Sequence, residues 1–167
     1  MRILVVGGAG YIGSHVTKSL LKAGHQPVVV DNLQTGKAEN LSPGVPFVHA
    51  DLRIPETLQG VLNGCEGLVH LAALKAVGDS MNQPDKYANH NISGTIQLLN
   101  AATESDVRYV IFSSTAAVYG NPQYIPMDEE HPTKPSNFYG STNLAIEELL
   151  GWFAPLKGMR VASLRYV

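Results

Sequence analysis

At 167 residues, with 44% hydrophobic and 16% charged side chains and a formal net charge of -2, the chain has the make-up of one globular domain, not a disordered or fibrous segment. Its 12 Lys and Arg are dispersed among 14 Asp and Glu, which provides no basic stripe for nucleic acid or an anionic membrane, and no apolar run nears the roughly 20 residues of a membrane span. The first apolar run is too short for a signal peptide, and the lone Cys65 cannot pair internally, so a reducing, cytoplasmic setting is expected.

Residues 2–6 predict a strand, because Ile3-Leu4-Val5-Val6 is an unbroken, mostly β-branched run that ends in glycine. The period then changes: Ile12, Val16, Leu20 and Ala23 are spaced for one face of a helix over 11–23, with Gly24 as the stop. A second strand is predicted at 27–30, closed by Asp31. The alternation continues with a strand at 45–49, a short helix at 55–62, a strand at 67–71 and a long helix at 84–103. A fifth strand covers 109–112, bounded by the polar Ser113-Ser114-Thr115. Four prolines make 120–137 an extended loop, a helix over 136–153 packs through Ile146, Leu149, Leu150 and Phe153, and a sixth strand runs over 159–167. Strands alternating with helices imply an α/β fold with a doubly wound, mostly parallel sheet.

Gly7-Gly8-Ala9-Gly10-Tyr11-Ile12-Gly13 lies where the first strand passes into the first helix. Glycines there let the backbone turn tightly and approach a pyrophosphate seated on the helix N-terminus, while Gly13 permits close packing of helix on sheet. Asp31, ending the second strand, either accepts hydrogen bonds from both adenosine ribose hydroxyls, which favours NAD over NADP, or caps its own turn with Asn32 and Leu33. Asp51 and Leu52 follow the third strand, at an adenine edge or in a solvent-facing turn. Leu71-Ala72-Ala73-Leu74-Lys75 leaves the fourth strand with small side chains beside the cofactor path, and Lys75 is either a ribose contact or a surface lysine. Thr115 and Tyr139 stand where the nicotinamide end of such a cleft would lie; a phenol there can exchange a proton with a sugar hydroxyl, and Tyr139 can equally be a packing residue. No Gly-Lys-Ser/Thr phosphate loop and no Gly-x-Ser-x-Gly elbow occurs, and the six histidines have no metal-ligand spacing.

These segments, together with Leu74-Lys75-Ala76-Val77-Gly78 and Ser113-Ser114-Thr115-Ala116-Ala117-Val118-Tyr119-Gly120, resemble the N-terminal, NAD-binding half of the UDP-glucose 4-epimerase (UDP-galactose 4-epimerase) family of extended short-chain dehydrogenases/reductases. The resemblance covers essentially the whole chain. It implies that Gly7, Gly8, Gly10, Tyr11, Ile12, Gly13, Asp31, Asn32, Leu33, Gln34, Thr35, Gly36, Asp51, Leu52, Leu71, Ala72, Ala73, Leu74 and Lys75 line an NAD site, with Thr115 touching the sugar and Tyr139 as catalytic base. The implied reaction interconverts UDP-glucose and UDP-galactose through a 4-keto sugar, in galactose metabolism, by a homodimer joined through the long helices after the fourth and fifth strands.

Three positions depart from the family pattern. Asn143 stands in place of the lysine of Tyr-x-x-x-Lys, where a cation would hold the nicotinamide ribose and favour the tyrosinate; beside Tyr139 at the cofactor, Asn143 offers only neutral hydrogen bonds. His90 replaces the first of two consecutive asparagines, Asn91 keeping the second. Most of the family's UDP-sugar domain would follow residue 167, so residues 1–167 are expected to form the NAD-binding domain without a complete substrate domain and with impaired turnover. The alternatives are another nucleotide-sugar epimerase or dehydratase, or a non-catalytic NAD-binding fragment.

Overall fold

The computed structural model describes residues 1–166; the final residue of the sixth predicted strand, Val167, lies outside the described residues. Strands β1 (Arg2–Val6), β2 (Gln26–Asp31), β3 (Phe47–His49), β4 (Gly67–His70), β5 (Tyr109–Thr115) and β6 (Arg160–Tyr166) form one sheet in the order β3-β2-β1-β4-β5-β6. Every pairing is parallel, with Val5 registered on Val29 and Val69, and Val69 on Ile111. The expected doubly wound sheet is thus present. Its order reverses at β1, which places a crevice at the C-terminal ends of β1 and β4.

One face of the sheet carries most of the core. Leu4, Val6, Val28, Val30, Leu68, Val110 and Phe112 pack against Leu98, Leu99 and Ala102 of helix α4 (Gly94–Glu104) and Ile146 and Leu150 of helix α5 (Phe138–Lys157). Helix α1 (Tyr11–Lys22) packs on β1 and β2. On the opposite face from the core helices, Tyr109 and Ile111 of β5 and Leu164 and Tyr166 of β6 remain largely exposed.

Several elements differ from the sequence expectation for definable reasons. The buried residues of α1 are Gly13, Ser14 and Thr17, not an Ile12–Ala23 stripe; Ile12 is half exposed and Ala23 is exposed. The helix lies so close to the backbone of β1 that small residues face the sheet. The helix expected at 55–62 is one 3₁₀ turn, Pro55–Leu58, followed by turns at Gly60 and Gly64, both with positive φ. The long helix at 84–103 is divided. Helix α2 (Val77–Asn82), not foreseen, precedes α3 (Pro84–Tyr87), because Pro84 keeps Gln83 out of helical geometry. A π turn, Ala88–Ser93, then leads into α4. Strand β5 continues past Phe112, since Ser113–Thr115 find partners at Leu164–Tyr166. Helix α5 starts at an Asn137 cap whose side chain accepts from the Gly140 N–H, and it runs through Pro155 to Gly158, whose φ is 67°.

Candidate functional site

The glycine turn is built by exclusion of side chains. Gly7 has φ 81°, and a Cβ there would stand 2.8 Å from the Ala72 nitrogen, so this turn and the segment after β4 are in direct backbone contact. A Cβ on Gly13 would lie 2.1 Å from the Gly7 carbonyl oxygen, and one on Gly8 2.6 Å from Val29. Gly10, by contrast, has only the Gly7 oxygen at 3.3 Å, so its outer side is open. No side chain caps the N-terminus of α1 and no acid occupies its first turn. Its leading N–H groups and the positive end of its dipole are thus free to receive an anion. Tyr11, 81% exposed, stands beside this opening.

Asp31 caps the end of β2 and does more than cap its own turn. One carboxylate oxygen accepts from the Ala9 N–H at 3.0 Å and the other from the Leu33 N–H at 2.8 Å, which holds Leu33 at φ 57°. Each oxygen keeps a second lone pair for a further donor such as a ribose hydroxyl. Asn32 turns the following segment: its carbonyl oxygen accepts from the Gln34 N–H, and its amide donates to Asp51 at 3.2 Å. Gln34 and Thr35 are exposed, and Gly36 folds back over Ala9.

The Asp51 carboxylate is held by Arg53 through side-chain bonds of 2.9 and 2.7 Å and a main-chain bond of 3.0 Å. Those bonds to Arg53 hold its pKa well below the usual carboxylate range, despite partial desolvation. Leu52 is a core residue. The segment from Leu71 to Lys75 is clamped by Asn91, a residue the expected site did not include as a contact. Asn91 is 1% exposed; its side-chain Oδ1 accepts from the Leu74 N–H at 2.9 Å, and its side-chain amide donates to the Leu74 carbonyl at 3.0 Å and to Thr142 Oγ1 at 3.1 Å. The signal available in the sequence was the run Asn89-His90-Asn91 inside a helical stretch, where such residues are poor helix formers. Ala72 and Leu71 meet the glycine turn, whereas Lys75 is exposed.

At the other end of the crevice, Thr115 closes β5 and accepts from the Ala117 N–H at 3.2 Å. Tyr139 stands in the first turn of α5, half-buried, with its N–H donating to Ser80 Oγ at 3.1 Å. The two elements are braced against one another: Glu147 of α5 accepts from Ser114 Oγ and from Arg165 of β6 at 2.6 and 3.1 Å, while Arg165 also donates to the Tyr119 hydroxyl at 3.2 Å. Those bonds raise the Arg165 pKa further above its ordinary value. Asn143 is 2% exposed, and its amide donates to the Tyr139 carbonyl. Among the described residues, no cluster of three His, Cys, Asp or Glu could hold a metal ion, and no helix is long and apolar enough to cross a membrane.

Known proteins share this fold. The UDP-glucose 4-epimerase of Halalkalibacterium halodurans is 46% identical over 99% of this chain and 50% of its own. The crystal structure of the UDP-glucose 4-epimerase from Brucella ovis in complex with NAD superposes with a TM-score of 0.95, at 40% identity, over 99% of this chain and 51% of that one. The Thermotoga maritima enzyme, solved with UDP-glucose, gives a TM-score of 0.95 at 37% identity, over 99% and 55%. The chain therefore spans about half the length of the curated relatives it matches. Residues 3–167 match one family throughout, from the glycine turn to β6. By its sheet order, its glycine turn and this match, the chain belongs to the NAD dependent epimerase/dehydratase family.

Proposed function

We propose that the chain binds NAD across the C-terminal ends of β1, β2 and β4, as the cofactor half of a UDP-glucose 4-epimerase-type enzyme acting on UDP-sugars. The observation that carries this reading is the junction of an uncapped helix N-terminus, an open Gly10 and a two-oxygen Asp31 on one edge of the sheet. The residues fit the dinucleotide. Gly7, Gly8 and Gly13 let the turn pack directly on Ala72, Val29 and its own backbone, which brings α1 close to the sheet, and the open face at Gly10 admits a pyrophosphate. Asp31 would take the adenosine ribose hydroxyls, and its charge disfavours a 2′-phosphate. Asn32 through Gly36 would cover that ribose, Asp51 and Leu52 would border the adenine, and Leu71 through Lys75 would line the path to the nicotinamide.

NAD, when bound, supplies a hydride acceptor at the sugar C4. In this reading Tyr139 takes the proton of the sugar hydroxyl and later returns it, and Thr115 holds that hydroxyl in line. The brace through Glu147 keeps β5 and α5 in fixed relation. A reducing, cytoplasmic setting agrees with a single buried Cys65, and a homodimer through α4 and α5 agrees with Trp152 and Leu156, about 70% exposed on α5. One observation favours a second reading, NAD binding without appreciable turnover: the neutral Asn143 offers no cation to Tyr139. Calorimetric titration with NAD tests the first claim; saturable 1:1 binding supports it and its absence overturns it. Conversion of UDP-galactose by the NAD-loaded chain then separates the two readings.

A further inference from the structure

The segment that follows β2 doubles back across the glycine turn. Gly36 approaches so closely that a Cβ would meet the Ala9 carbonyl carbon at 2.9 Å and Asp31 Oδ2 at 3.0 Å. Two donors then converge on one acceptor: the Lys37 N–H reaches the Ala9 carbonyl at 3.1 Å and the Asn40 side-chain amide reaches it at 2.8 Å. The Ala9 N–H is held by Asp31, so this single residue of the glycine turn is gripped at both ends.

The segment has no fully buried apolar anchor; Leu33 and Leu41 are half-buried. None of residues 32–44 is buried. Behind it lies a cleft of about 360 Å³, lined by Tyr11, Ser14, His15 and Lys18 on the α1 side and by Glu39 through Pro43 on the other. Asn32 and Leu33 are tied to Asp51 and Asp31 and form the base of the segment; beyond them few buried contacts and open space behind let it swing at low cost, so the two hydrogen bonds on Ala9 define its closed position.

Given the NAD reading above, on which this rests, we propose that residues 32–40 are a latch over the adenosine ribose and that Asn40 is its positioning residue, controlling release of the cofactor more than its capture. Asn40 touches Ala9 and not the ribose. Its loss leaves Asp31 and the glycines in place, so encounter with the ligand is unaffected while the closed state is populated less.

The test is stopped-flow displacement of NADH by excess NAD from the full chain and from the Asn40→Ala and Asn40→Leu variants. Hydrogen exchange at the Lys37 amide is read in parallel. The expected result is release about three- to tenfold faster in both variants, the loss of one hydrogen bond, with association within about twofold, reduced protection at Lys37 and a melting temperature lower by no more than about 4 °C. Gly36→Ala, which forces the segment away from Ala9, should accelerate release as well. Binding by the parent chain with unchanged release in the Asn40 variants overturns the latch alone. No binding by the parent chain overturns the latch together with the cofactor reading.

Discussion

Asn143 donates its side-chain amide to the main-chain carbonyl of Tyr139, 3.0 Å away and one turn earlier in α5. The amide is thereby committed to its own helix and brings no charge toward the phenol. Replacement Asn143→Lys places an ammonium where it favours the phenolate form of Tyr139. The sugar-dependent reduction of bound NAD, followed by near-ultraviolet absorbance, should rise by about a hundredfold near neutral pH. An unchanged rate would show that the missing lysine does not limit the chain.

The glycines of the turn should separate into structural and ligand-facing positions. Gly13→Ala drives a methyl group into the Gly7 carbonyl and should cost about 1–3 kcal/mol in thermal or denaturant unfolding. Gly10→Ala meets only one contact at 3.3 Å and lies at φ -74°, so stability should hold within ~0.5 kcal/mol. Its effect should appear in NAD affinity, reduced about tenfold or more as the methyl group occupies the anion seat.

Asn91 is the clamp on the segment after β4. In Asn91→Ala the Leu74 N–H and carbonyl lose their partners, and Thr142 Oγ1 loses a donor. Unfolding should become easier by about 2–3 kcal/mol. Asn91→Asp should be worse than the alanine variant, because it sets a carboxylate oxygen against the Leu74 carbonyl. Equal melting temperatures for the two variants would contradict this assignment.

His70 makes the fold sensitive to mild acid. Thr95 Oγ1 donates to the Asn91 main-chain carbonyl, so it accepts from His70 Nε2–H at 2.8 Å, and the buried Nδ1 lone pair has no partner. Burial lowers the His70 pKa from 6.5 to about 4. The folded value lies below the unfolded one, so the unfolded chain binds the extra proton. The contribution is intact above pH 6.5 and is lost as the pH falls from there to about 4. His70→Phe should lose less stability than the parent across that window, with a difference in slope of up to about 1.4 kcal/mol per pH unit. Parallel stability curves would place the acid sensitivity elsewhere.

What the sequence disclosed and what it concealed follow from the range of the interactions. The alternation of strands with helices and the glycine turn were legible because Ile3–Val6, Gly7–Gly13 and Asp31 carry local signals of burial, backbone freedom and charge. The face of α1 was not legible, since Gly13, Ser14 and Thr17 face the sheet on account of proximity and not of apolarity. The split at Pro84 was readable, yet α2 before it and the π turn after it depend on contacts with α5, such as that of Ser80 with Tyr139. The partners of the site residues were the least visible. Asn40 reaches Ala9 across 31 positions and Asn91 reaches Thr142 across 51, and no periodicity encodes such pairs.

Among the described residues strand β6 pairs with β5 alone, and one of its faces is largely exposed. Its peptide groups should therefore exchange with solvent by shallow, local fraying, whereas those of β1, shielded by β2 and β4, should exchange only when the whole chain opens. Arg165 acts as a rivet near the far end of that fraying strand, so the stretch around Ser163 should peel before the stretch beside Thr115, and the crevice wall should outlast the outer edge of the sheet.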